Sequence, residues 1–209
     1  MKPPHALSDR ELTDYAEEHI QYEIDMLTWT ASILAFLSAK PNNAGLPVTV
    51  ANGLLNSFAL HARNLTNFLY SRTRANDHPT DIILEDYVDP QLISGHLPPI
   101  TPLLEEALTK ASKQAAHLSM DRMTEYEQKG KVWSFIPISK DILNALAAIA
   151  PHIPASRISH SLRLKMARSA FIMPIVDVSY GTFPGGLDKA MTMSLRIAPD
   201  GRSYMGISA

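Results

Sequence analysis

Ser8 and Glu11 stand three residues apart at the head of a long run of evenly spaced apolar residues. That spacing is a capping box: the serine hydroxyl and the glutamate carboxylate satisfy backbone N–H groups that the first helical turn leaves without partners. Asp9 adds negative charge at the positive end of the helix dipole. Behind the cap, Tyr15, Tyr22, Met26, Trp29, Ile33 and Phe36 recur at three- and four-residue steps or their sum, which predicts one helical face reaching to about Ala39. A helix with so long an apolar face does not stand alone in water, because most helical stability in proteins comes from packing that face. The chain must therefore supply further helices to cover it.

It does so after the break Lys40-Pro41-Asn42-Asn43-Ala44-Gly45. Pro47 suits the first turn of a second helix, with Leu54, Phe58, His61, Leu65 and Phe68 as its buried stripe. Asn52, Asn56, Arg63 and Asn67 take roughly the opposite side, and the helix ends near Tyr70. Ser71 to Asp81 reads as a polar loop, and residues 82–84 fit either a strand or a helical turn. Thr101 is an N-cap with Pro102 at the first helical position, opening a third helix through Leu104, Leu108, Ala111, Ala115 and Leu118 to about Glu127. A fourth helix is predicted from Ser139, carrying Ile142, Leu146 and Ile149 until Pro151 stops it. The expected fold is mainly α: an antiparallel helical bundle of four or more helices over residues 1–154.

Charge divides the chain at the same place. Residues 1–154 hold 12 Lys and Arg against 18 Asp and Glu, whereas residues 155–209 hold 7 against 3. This second region reads as a basic C-terminal arm, partly β-prone. Arg157, Arg163, Lys165 and Arg168 surround Ile158, Leu162 and Met166 in a short amphipathic helix. Phe171 to Tyr180 is β-prone but interrupted by Pro174, and Met191, Met193, Leu195 and Ile197 alternate with polar residues before the turn Pro199-Asp200-Gly201. A hairpin is expected there, and an isolated hairpin needs something to pack against.

Composition removes several classes of function. With no cysteine, there is no disulfide framework, thiolate metal site or cysteine nucleophile. The eight histidines lack metal-ligand spacing, no glycine-rich loop follows a strand, and no cofactor is expected. The first residues lack the apolar run of a signal peptide, and no stretch approaches about 20 apolar residues, so the expected setting is cytoplasmic with no membrane partner.

Three polar residues fall where the helical pattern calls for core: Glu18, His61 and Arg122. Burying an unpaired charge is costly, so the economical solution is one cluster, Glu18 with Arg122 and His61 hydrogen-bonded nearby. Such a cluster either fixes helix register or lines a small polar site with His61 as acid or base. His117 lies at the edge of the third helix's stripe, one turn after Lys113, and Arg63 points from the core toward solvent or a partner.

The segment Asn56 to Tyr70, with His61, Arg63, Leu65, Phe68 and Leu69 in an H-x-R-x-L-x-x-F-L pattern, resembles a segment of an uncharacterised group of small bacterial helical proteins. The segment Lys113 to Arg122 looks like that group's second signature. The resemblance covers residues 15–135 and carries no assigned activity. More remotely, the helical layout and the K-x-x-x-H of Lys113 and His117 are similar to HEPN domains, whose active members cleave RNA without metal using an R-x(4–6)-H motif at a dimer interface. Here Ser112 occupies the arginine position of a four-residue gap, and a literal R-x5-H, Arg72 to His78, lies in the loop before Pro79. The leading expectation is a HEPN-like binding or regulatory module that self-associates as a dimer, motivated by the long amphipathic helices and by a tail unable to bury itself. The arm lies outside the resemblance and is expected to engage a protein or RNA partner through Arg157, Arg163, Lys165 and Arg168, with Arg63 and Lys113 as further binding residues. The alternative is a metal-independent ribonuclease of a defence or toxin–antitoxin system. In that reading His61 or His117 is the base, Arg122 or Arg63 contacts phosphate, and Lys113 adds positive charge.

Overall fold

The computed structural model describes residues 7–38, 47–72, 80–112, 133–167, 175–181 and 190–196. It is mainly helical. Helix α1 (Asp9–Tyr15) runs through a π-helical segment, Ala16–Ile20, into α2 (Gln21–Ser38). Helix α3 (Val48–Tyr70) follows, then a 3-10 turn at Leu84–Asp86, α4 (Pro90–His96), α5 (Pro102–Ala111), α6 (Phe135–Ile149) and a second 3-10 turn at Ala150–His152. Helix α7 is His160–Ala167.

The cap at the start forms as its spacing dictates. Glu11 Oε2 accepts the Ser8 backbone N–H at 2.8 Å, and Ser8 Oγ accepts that of Glu11 at 3.3 Å. The helical face behind it is a different one from the stripe of Tyr15, Tyr22, Met26, Trp29, Ile33 and Phe36. Ile33 is buried, but Tyr22 is 52% exposed and the other four are half-buried. The core side is Leu12, Ala16, Ile20, Ile24, Leu27, Ala31 and Leu34. Its first members are four apart, and each four-residue step overshoots an α-helical turn by about 40°. The π segment absorbs that drift: the Gln21 N–H reaches back five residues to the Ala16 carbonyl, and the wider turn keeps Leu12, Ala16, Ile20 and Ile24 on one side.

Helix α3 buries Phe58, His61, Leu65 and Phe68, as its stripe predicts, with Ala59, Ala62 and Leu69 beside them. Glu23 bonds His61 and Asn64, whereas Leu12 lies by Tyr87, whose ring packs against Phe68 at 5.8 Å between centroids. The first helical stretch and α3 thus run in opposite directions. Helix α3 also packs on α5 and α6, and α2 on α6. Tyr87 plugs the centre; it is fully buried, donates its hydroxyl to the Leu12 carbonyl at 2.9 Å, and burial pushes its pKa well up.

Thr101 caps α5 through its Oγ1, which accepts the Leu104 N–H, with Pro102 opening the helix. The expected course of this helix beyond Ser112 lies outside the described residues. Helix α6 starts at Phe135, a turn earlier than Ser139. Pro137 therefore lies in the first turn, where a missing N–H costs nothing, and Ser139 is pulled into the helix interior.

The compact helical unit runs to Phe171, past the boundary expected at residue 154. Ile158, Leu162 and Met166 of the expected arm are core residues. Arg157 Nε donates to Asp9 Oδ1 at 2.8 Å, and its Nη1 to the Asp86 and Tyr87 carbonyls. Arg163 closes the second 3-10 turn by donating to the Ala150 and Ile153 carbonyls at 2.7 and 2.6 Å, and Lys165 meets Asp25 at 2.6 Å. These three cations are spent inside the helical unit instead of being presented by an arm; Arg168 lies outside the described residues.

The second unit, Ile172–Ala209, contains β1 (Ile175–Gly181) and β2 (Ala190–Arg196), paired antiparallel. The register sets Val176 opposite Leu195, Val178 opposite Met193 and Tyr180 opposite Met191 on one face. Asp177–Ser194 and Ser179–Thr192 fall on the other. From residue 172 onward three basic residues balance three acidic ones, so the basic excess ends with the helical unit.

Candidate functional site

The π segment that holds the core side in register also opens a cleft beside it. One wall is a row at four-residue spacing, Tyr15, His19 and Glu23; the facing wall is the flank of α3 that carries Arg63, Asn64 and Asn67. The stretch from Thr80 to Ile83 borders one side, and the volume of the open cleft is about 520 Å³. That lies within the range of small-molecule pockets. Wide π turns recur at functional sites because they displace side chains from the regular helical rows, and here Tyr15 caps the turn while His19 belongs to it. The two rings lie 4.5 Å apart between centroids.

Glu23 is the hinge between cleft and core. Its Oε2 lies 2.7 Å from His61 Nδ1, and its Oε1 accepts the Asn64 amide at 3.1 Å. An ionised carboxylate only accepts, so Nδ1 of His61 is the donor of this hydrogen bond. His61 is 4% exposed and lies behind Glu23, with the edge of Tyr22 over it at 5.5 Å. Burial, followed by the charges of Glu23 and Asp81, raises the Tyr15 pKa, so its phenol stays a neutral donor at physiological pH.

The polar cluster expected around Glu18, His61 and Arg122 takes another form. Glu18 is exposed, its side chain 80% accessible and 4.0 Å from His19, and Glu23 takes its place as the partner of His61. Arg122, His117 and Lys113 lie outside the described residues. Arg63 and Asn67, assigned to the outer side of α3, are half-buried and line the cleft. Sequence reasoning missed Glu23, Asn64 and the Tyr15–His19 pair. The four-residue row Tyr15, His19, Glu23 was a visible signal, but its meaning depends on the π turn and on which segment of α3 lies opposite.

Arg63 and Asn67 are one turn apart on α3, and among the described residues neither side chain makes a hydrogen bond or ion pair. The carboxylates nearby are committed: Glu23 as described, and Asp81 to a partner of its own. Among the described residues, no group of three or more His, Cys, Asp or Glu side chains could hold a metal ion, and no helix is long and apolar enough to cross a membrane.

No family model, curated protein or solved structure matches this chain.

Proposed function

We propose that the chain is a HEPN-like binding or regulatory module, an antiparallel helical bundle whose ligand site is the cleft between Tyr15–Glu23 and α3. The observation that carries this reading is a pocket of about 520 Å³ walled by a π turn on one side and by uncommitted polar side chains on the other. The opposite directions of the first helical stretch and α3 support the bundle. Self-association belongs to the same reading and is supported by the hairpin, one face of which carries no charged residue. The test is protein-detected NMR of the labelled chain against a small-molecule fragment library, with the Asn64 and Asn67 side-chain amides as reporters. Fragments that shift those two signals and lose affinity on Asn64→Ala are the expected result; a library that leaves both signals unmoved removes the cleft reading.

A second reading, a metal-independent ribonuclease with His61 as base, is favoured by the Glu23 carboxylate on Nδ1, an arrangement that orients a basic imidazole. The burial of the ring and the position of Arg63, about 200° round α3 from His61, weigh against it. Labelled RNA incubated in chelator with the wild type and with His61→Ala separates the two. Cleavage that disappears in a folded His61→Ala protein would establish the enzyme.

A further inference from the structure

We infer that the cleft takes a small anion, a carboxylate or phosphate group on a compact apolar body, held by the Arg63 guanidinium and the Asn67 amide. The inference rests on the cleft being the binding site and adds the chemistry of its ligand.

Hydrogen-bond bookkeeping inside the cleft leads to this class. Both oxygens of Glu23 already accept, from His61 and from Asn64, and Asp81 has an interaction of its own. A ligand cation would compete with these groups for the same oxygens. The guanidinium of Arg63 is the reverse case: half-buried at the cleft wall, with no ion pair or hydrogen bond to another side chain among the described residues. An arriving anion supplies the charge-assisted hydrogen bonds that this part-buried guanidinium lacks. Its fork of donors matches the paired oxygens of a carboxylate or phosphate. Asn67, one turn along the same helix, adds an uncommitted amide donor to the same wall, and the neutral phenol of Tyr15 lies across from it.

The rest of the lining describes what the anionic group is attached to. Phe68 and Ile82 border the same cleft, so a short apolar or aromatic body can bury against them while the charged end stays at Arg63. The volume limits the ligand to small-molecule size.

Calorimetric titration of the full chain at low ionic strength tests this with four probes of one shape: benzoate, phenyl phosphate, benzyl alcohol and benzamidine. NMR of the Asn64 and Asn67 amides places each probe in or out of the cleft. At least one of the two anions is expected to bind in the cleft at least about 10-fold more tightly than benzyl alcohol, the difference a charge-assisted hydrogen-bonded group supplies. Whichever anion binds more tightly distinguishes carboxylate from phosphate. Arg63→Gln should erase the preference for the anion while leaving the thermal midpoint close to wild type, since it breaks no existing contact. Asn67→Ala should weaken the anion several-fold, and Arg10→Gln, on the exposed side of α1, should change nothing. Benzyl alcohol or benzamidine binding in the cleft as well as the anions, or Arg63→Gln retaining the anion preference, overturns the inference and leaves the cleft reading standing. If none of the four binds there, the inference falls, and the fragment screen decides separately whether the cleft binds anything.

Discussion

Ser139 shows how a single side chain can be misplaced by a local signal and then carry a cost. A serine before an apolar run reads as a helix cap, but Pro137 fits inside the first turn, so α6 begins at Phe135 and Ser139 becomes an interior residue. It is fully buried, and its hydroxyl has no hydrogen-bond partner. An unsatisfied buried hydroxyl is destabilising, and alanine is the better helix former. Ser139→Ala is therefore expected to stabilise the protein by about 1 kcal/mol, read as a rise in the denaturant midpoint at unchanged slope. A fall in stability would mean the hydroxyl is satisfied in solution. His61 is the opposite case. Its place in the buried stripe was legible from spacing, but its partner was not. Glu18 and Glu23 both lie on the first helical stretch, and only the antiparallel pairing with α3 decides which of them reaches His61.

At the scale of elements, caps and prolines were the most readable features, because each acts within one turn. The Ser8–Glu11 box, the Thr101–Pro102 start of α5 and the stop before Pro151 all depend on neighbours three or four residues away. The inner face of the first helical stretch was not readable in the same way. An aromatic-rich stripe and an aliphatic stripe coexist there, and the π turn, stabilised by packing of Leu12 and Ala16 into the core, chooses the second. The segment before α7 is tied to α1 rather than hanging free. Asp9 accepts from the Ser156 hydroxyl and from Arg157, and these two hydrogen bonds, the serine's first, hold its carboxyl below the ordinary carboxylate range. A group whose folded pKa is lowered stabilises the fold above its ordinary value, and that contribution is lost as pH falls through the lowered one. Asp9→Asn should consequently lower the thermal midpoint at neutral pH and have little effect in acid below the carboxylate range. Equal effects at both pH values would show that the tether is steric, not ionic.

For the whole molecule, the division into helical and β-prone parts was legible, and its position was displaced. The charge change near residue 154 marks where cations begin, but those cations serve the helical unit: Arg157, Arg163 and Lys165 tie its last turns to Asp9, to two carbonyls and to Asp25. The hairpin unit that follows balances its charges, and a two-stranded hairpin is marginal by itself in water. If it mediates self-association, the mass of the full chain in sedimentation should rise with concentration. A chain ending at residue 171 should stay monomeric with its helical circular dichroism and thermal midpoint retained; identical behaviour of the two chains would remove the hairpin from that role. What the sequence by itself determined was where helices start and stop, and that α3 buries Phe58, His61, Leu65 and Phe68, because caps, prolines and a single apolar stripe act over one or two turns of local backbone. Only the tertiary structure decided which face of the first helical stretch is inside, that Glu23 meets His61, and that Arg63 and Asn67 stand uncommitted across a cleft from Tyr15 and His19. Those outcomes depend on pairings between residues some 40 to 50 positions apart, and no pattern within one helix encodes which segment will lie opposite another.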